Sequence, residues 1–172
     1  MQIKIAALAA FTVTLSACAT DSGHQHWKRH ATLPSDASSV TTVAGMPVTD
    51  LAAAQRLLSP DETLQPLNFP ESGTTTVSGR IVGRQSVAYA LPIRKDQRLE
   101  VTMESPSTSA YFNIQDVQDQ SGAALFAGEM NNTRTALLRA TSDTTYVLRP
   151  YLNRAVAREG NSANYLLKIE RQ

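Results

Sequence analysis

The side chains that most often carry chemistry in proteins are few in this sequence and lie near its beginning. His24, His26 and His30 are its three histidines, and they stand beside Trp27. Such a cluster could bind a metal ion, but histidines that lack carboxylate or thiolate partners are more often solvated side chains. We therefore expect no metal site and no cofactor.

The last hundred residues lack the usual nucleophiles and bases. Residues 73–172 contain no histidine and no cysteine, which excludes a Ser-His-Asp or Cys-His arrangement within them. Hydrolysis by a pair of carboxylates is formally open, but no feature favours any pair among the scattered Asp116, Asp119, Glu129 and Asp143. We therefore expect a binding protein and not an enzyme.

Two arginines offer a binding chemistry instead. Arg154 and Arg158 lie in a long connection between the last two predicted strands. Asn153 can cap a helical turn there, the alanine-rich residues that follow favour one, and Gly160 can end it. The spacing of four places both guanidinium groups on one face, where they could probe a carboxylate-lined cleft. Pairing with Glu159 or other nearby acids is the alternative, and the spacing does not decide between them.

The distribution of charge agrees with a protein partner and not with nucleic acid. The formal net charge of the chain is +1, too small for a nucleic-acid binder that relies on bulk charge. Residues 73–172 carry twelve Lys or Arg against nine Asp or Glu, and ten of the twelve are arginines. Because the planar guanidinium suits carboxylates, this bias is a mild indication of an acidic partner.

The fold that positions these arginines is indicated by short runs of alternating apolar and polar residues, which turn residues separate. About eight such runs occur, at 75–82, 87–93, 99–103, 111–114, 124–127, 135–140, 144–152 and 164–169. Many short strands with regular turns and no long amphipathic helix predict an all-β fold, a single antiparallel β-sandwich over residues 73–172.

Residues 18–72 have the composition of a tether. Serine, threonine, aspartate and proline are dense, and no hydrophobic period persists. The one exception is a short helix predicted near residues 49–58, which has a capping residue, an alanine-rich interior and a stop at Pro60. Its leucines at positions 51, 57 and 58 could dock it on the sandwich.

The first seventeen residues have the layout of a secretory signal peptide. Lys4 is followed by an uncharged apolar run over residues 5–15 and then by small residues. The end of this layout, Leu15-Ser16-Ala17-Cys18, resembles the lipobox of bacterial lipoproteins, and Cys18 is the only cysteine. The resemblance implies cleavage before Cys18 and acylation of its thiol, which attaches the protein to the membrane of the cell envelope. In that family an aspartate after the cysteine retains the protein in the inner membrane, so the resemblance, with Ala19 at this position, implies the outer membrane, facing the periplasm. The alternative is an ordinary signal peptide with a chance cysteine.

Three stretches of the folded part resemble the periplasmic inhibitors of g-type lysozyme. They are Tyr111-Phe112-Asn113-Ile114 after a serine-rich loop, the segment Arg154-Ala155-Val156-Ala157-Arg158, and the final strand Ala163-Asn164-Tyr165-Leu166-Leu167. The likeness covers roughly the last hundred residues, which also resemble the wider pre-peptidase C-terminal β-sandwich group.

The resemblance implies an inhibitor that inserts loops into the active-site cleft of a g-type lysozyme. It assigns one contact loop to Asn153, Arg154, Arg158 and Glu159, and a second to Ser105, Ser107, Ser109 and Tyr111. Glu159 stands where the family often has a further arginine. Two other interpretations stay open: a non-inhibitory envelope module that binds glycan or a partner protein, and an accessory lipoprotein of a secretion system.

Overall fold

The computed structural model describes residues 45–172. Within them, two β-sheets pack face to face as a sandwich of nine strands, with two short helices. The elements are α1 (Leu51–Arg56), β1 (Glu62–Pro66), β2 (Gly73–Val82), β3 (Ser86–Ile93), β4 (Arg98–Glu104), β5 (Ala110–Asp116), β6 (Ala124–Ala127), β7 (Thr135–Arg139), β8 (Thr144–Leu152), α2 (Arg154–Arg158) and β9 (Ser162–Arg171). The predicted all-β sandwich is confirmed. No helix in this part of the chain is long and apolar enough to cross a membrane.

The first sheet has the strand order β1-β3-β8-β5-β6, and the second has the order β2-β9-β4-β7. Neighbouring strands of residues 45–172 run antiparallel except β1 and β3, which are parallel from Glu62 opposite Ser86 to Pro66 opposite Ala90. The predicted antiparallel pairing is therefore present in every pair of neighbouring strands except β1 and β3. A period of two is the same in parallel and antiparallel strands, so the sequence pattern cannot tell the two apart.

The core lies between the sheets and is built by alternate residues of each strand. In β4, Leu99, Val101 and Met103 are at most 3% exposed, while the intervening residues face outward. In β5, Phe112 is fully buried and its ring centroid lies 4.9 Å from that of Phe126. This alternation is the expected consequence of side chains pointing to opposite faces along a strand.

Helix α1 covers part of the outer face of the first sheet. Its cap is Asp50, whose side chain accepts a hydrogen bond from the Ala53 amide at 2.8 Å. Ala54 is fully buried and packs in a second apolar cluster with Ala88, Ala90 and Val147. The three leucines of this segment pack against the cluster, and small residues on both sides let the helix approach the sheet closely.

The sandwich also includes residues that the sequence assigned to the tether. Strand β1 adds an edge to the first sheet, and Leu67 and Phe69 after it belong to the main core. Arg171 of β9 holds this segment. Arg171 is 1% exposed. Its guanidinium lies 3.7 Å from the Phe69 ring centroid and donates hydrogen bonds to the carbonyls of Phe69, Pro70 and Pro92.

Candidate functional site

Four connections meet at one end of the sandwich, which we call the loop end. They are the β2–β3 turn (83–85), the serine loop (105–109), the β6–β7 loop (128–134) and the arginine loop (153–161). Backbone hydrogen bonds join them: the amide of Asn153 donates to Ser109 at 2.9 Å, and the amide of Gly83 donates to Asn161 at 2.8 Å. The two predicted contact loops are therefore neighbours in the structure.

The arginine loop contains the helical turn that the sequence predicted. The Asn153 side chain accepts a hydrogen bond from the Val156 amide at 3.1 Å and so caps α2. Gly160 follows α2 with a φ of +73°, a conformation that suits glycine at the end of a helix. Val156 and Ala157 pack against the core, while Arg154 and Arg158 are exposed.

Internal pairing does not occupy the two arginines. The ion pairs within residues 45–172 involve other cations, namely Arg94, Arg139, Arg149 and Lys168. Glu159, the acid nearest in sequence, accepts a hydrogen bond from the Asn161 side chain at 2.9 Å instead. The internal ion pairing that the spacing left open is therefore absent from the described residues, and binding to a carboxylate-lined cleft stays a prediction.

The hydroxyl groups of the serine loop shape the loop itself. Ser105 Oγ donates to the carbonyl of Asn164 at 2.7 Å and accepts from the Ser107 amide at 3.2 Å. Ser107 Oγ in turn accepts from the Ser109 amide at 3.3 Å. These bonds use serine hydroxyls to fix the backbone, a common role for serine in loops, so the loop presents a defined surface beside the arginine loop.

Arg134 holds the serine loop in place through hydrogen bonds to its backbone. The sequence did not identify this residue. Its guanidinium donates to the carbonyl of Ser105 at 3.2 Å and to that of Ser107. It also lies 5.6 Å from the ring centroid of Tyr111, close enough for a cation–π contact. Because its partners are backbone carbonyls far away in sequence, no local motif marks this residue.

A cavity of about 570 Å³ opens at the loop end. It is lined by Ser59, Pro60, Asp61, Glu62, Gly83, Arg84, Ser86, Asn113, Ala127, Glu129, Met130, Arg149, Tyr151, Leu152, Arg154 and Ala157. Within residues 45–172, no group of three or more His, Cys, Asp or Glu is placed to hold a metal ion.

An ion pair in the cavity wall ties β1 to β8. Arg149 donates to both carboxylate oxygens of Glu62, at 2.9 and 2.5 Å, and to the Gln115 side chain at 2.7 Å. Burial opposes the charge of Glu62, but hydrogen bonds from Arg149 and Ser59, with the charge of Arg149, hold its pKa below the ordinary value. Glu62 is therefore ionised at neutral pH, and its ion pair with Arg149 links the two strands that form this wall.

Solved structures of periplasmic lysozyme inhibitors superpose on this sandwich. PliG of Aeromonas hydrophila, a periplasmic inhibitor of g-type lysozyme, matches with a TM-score of 0.58 and 22% identity over 65% of this chain and 98% of that chain. PliG of Salmonella Typhimurium, also a periplasmic inhibitor of g-type lysozyme, matches with a TM-score of 0.50 and 17% identity over 63% of this chain and 97% of that chain. The chain has the fold of these inhibitors.

A pre-peptidase C-terminal domain of a Bacillus anthracis collagenase also aligns, with a TM-score of 0.43 and 15% identity over 66% of this chain and 98% of that chain. No protein-family model and no curated protein matches the sequence. The two PliG structures confirm, as a likeness of fold, the resemblance that three short stretches of sequence indicated.

Proposed function

We propose that the protein is a non-enzymatic inhibitor that binds a g-type lysozyme through its loop end and blocks the active-site cleft. One observation carries the proposal. Arg154 and Arg158 are exposed, without an ion pair in the described residues, beside an ordered serine loop. The fold shared with solved inhibitors of that enzyme class supports it.

The proposed mechanism is occlusion assisted by charge. Glycoside hydrolases work with carboxyl groups in their cleft, and guanidinium groups form strong charge-assisted hydrogen bonds with carboxylates. The arginines would pair with these acids while the neighbouring loop fills the space that substrate needs. The proposed contacts are Asn153, Arg154, Arg158 and Glu159 in the arginine loop, and Ser105, Ser107, Ser109 and Tyr111 in and after the serine loop.

The decisive experiment is an inhibition assay on purified protein. Increasing amounts of the protein should progressively slow the degradation of peptidoglycan by a g-type lysozyme. The inhibition should be complete when inhibitor and enzyme are present in equal amounts. A c-type lysozyme, assayed in parallel, tests whether the effect belongs to the enzyme class. Full g-type activity at a large molar excess of the protein would reject the proposed function.

We further propose that the protein works in the bacterial envelope, held by a lipid on Cys18 to the outer membrane and facing the periplasm. The support is the sequence Leu15-Ser16-Ala17-Cys18 followed by Ala19, which lies outside the described residues. Cells that express the protein should incorporate labelled palmitate into it, and Cys18→Ser should lose the label. Equal labelling of the two proteins, or of neither, contradicts the lipid anchor.

A further inference from the structure

Strand β2 has a long free edge. It stands at the end of the second sheet, and among the described residues its backbone pairs only with β9, apart from one bridge between Val82 and Gln85. Alternate residues of an edge strand point their backbone N–H and C=O groups away from the sheet, where another strand can bind them. β2 has ten residues, whereas the other described edge strands, β1, β6 and β7, have four or five.

The composition of β2 does not protect this edge. Proteins commonly protect an edge strand with proline, with charged side chains or by keeping the strand short. Residues 73–82 contain no proline and one charged residue, Arg80. The outward side chains of Thr74, Thr76 and Ser78 are exposed and uncharged. The edge can therefore accept a further strand.

A second copy of β2 fits this edge. Two copies can pair antiparallel about a two-fold axis, the commonest symmetry of protein dimers. Opposite side chains of an antiparallel pair share a face, so the axis passes through a residue and not between two residues. An axis at Val77 uses the length of the strand and sets Thr76 opposite Ser78 of the second copy, where the two hydroxyl groups can share a hydrogen bond.

The charges on β9 select this register. In the sheet, Glu170 lies beside Thr74, and Lys168 lies beside Thr76. Neighbouring strands are about 4.8 Å apart, so a long side chain on β2 can reach the second strand of the other copy. The register described sets Arg80 opposite Thr74 of the second copy and so directs it toward Glu170, twice by symmetry. Moving the axis by one residue toward the C-terminus would set Arg80 beside Lys168 instead, and moving it the other way would place Arg80 beyond the start of β2.

We propose that the protein forms a two-fold symmetric dimer through β2, which joins the second sheets of two copies into one sheet of eight strands. Because the paired strands are antiparallel, the loop ends of the two copies point in opposite directions. The serine loop and the arginine loop of each copy are then still free to bind a partner. The inference does not depend on lysozyme inhibition.

The test is the mass of the purified protein in solution, measured by sedimentation velocity up to submillimolar concentration. All samples carry Cys18→Ser, which removes the proposed lipid and the only thiol. The average mass should rise with concentration toward twice that of the monomer. Thr76→Lys with Ser78→Lys should keep the protein monomeric, because each new lysine would face a lysine of the second copy. The matched control, Thr135→Lys with Leu137→Lys, changes two exposed positions at the other edge of the same sheet and should dimerise normally.

A charge exchange tests the register. Arg80→Glu should weaken the dimer about tenfold, because two attractions become two repulsions. Adding Glu170→Arg to this variant should restore the dimer, since the two charges have exchanged places. Circular dichroism checks that each variant keeps the fold.

Three results would overturn the proposal. One is a monomeric mass at every concentration. Another is a dimer that the two lysines on β2 leave intact, or that the two lysines on β7 disrupt equally. The third is a dimer that Arg80→Glu does not weaken, because its contacts would differ from the register described.

Discussion

Replacing Arg154 and Arg158 together with alanine is expected to weaken inhibition of a g-type lysozyme at least about a hundredfold and to leave the fold intact. Each guanidinium that bonds a buried carboxylate contributes on the order of 1.5–3 kcal/mol, and tenfold in affinity corresponds to about 1.4 kcal/mol. Both side chains are exposed, and alanine favours the helical turn that carries them. Inhibition constants and the circular dichroism of the variant are the measurements.

A matched control removes two arginines from the other end of the sandwich. Arg98 and Arg139 are exposed and start and end their strands opposite each other, so Arg98→Ala with Arg139→Ala changes the net charge equally. This variant should inhibit like the unaltered protein. If the Arg154 and Arg158 variant also inhibits normally, the arginine loop is not the contact surface, although the protein is still an inhibitor.

Arg171→Met should lower the free energy of unfolding by about 3 kcal/mol. The substitution leaves the carbonyls of Phe69, Pro70 and Pro92 without their donor, and a buried acceptor left unpaired costs roughly 1–3 kcal/mol. Burial lowers the pKa of Arg171 to about 10, while Glu71 opposes the shift. The guanidinium is therefore still charged at neutral pH and makes charge-assisted bonds. Urea unfolding of both proteins measures the difference.

Arg139→Met is the control for this change. The Arg139 guanidinium lies 3.3 Å from Asp96, but both side chains are more than 60% exposed, and exposed ion pairs contribute about 0–1 kcal/mol. Its midpoint in urea should hardly move. If Arg171→Met also hardly moves the midpoint, Arg171 contributes only bulk to the core. The part of the loss that Arg171→Lys fails to recover belongs to the planar guanidinium.

The sequence predicted the elements whose side chains alternate. Leu99, Val101 and Met103 mark β4 by their period of two, and the same reasoning gave the sandwich. The turn of α2 was also predictable, because its cap, Asn153, and its glycine end, Gly160, each form a hydrogen bond with a residue three positions away. Interactions between residues close together in the chain can be predicted from the sequence pattern.

The sequence pattern did not indicate strand β1. It also did not indicate the arginines that bind distant parts of the chain. The run Glu62–Pro66 is an edge strand with only intermediate or exposed residues, so it shows no buried face and ends in a residue that cannot donate a backbone bond. Arg134, Arg149 and Arg171 bind partners that are distant along the chain. Their type suggests surface cations, and only the folded structure brings the acceptors to them.

The position of β9 governs when the protein can fold. This strand lies between β2 and β4. Among the described strands it is the one sheet partner of β2, with Gly73 paired to Arg171, whereas β4 also pairs with β7. The second sheet therefore cannot be completed until residues 162–171 have been synthesised. Pairing over so long a stretch of chain is slow. Until then β2 has no strand to pair with in its sheet, so completion of the sandwich waits for residues 162–171.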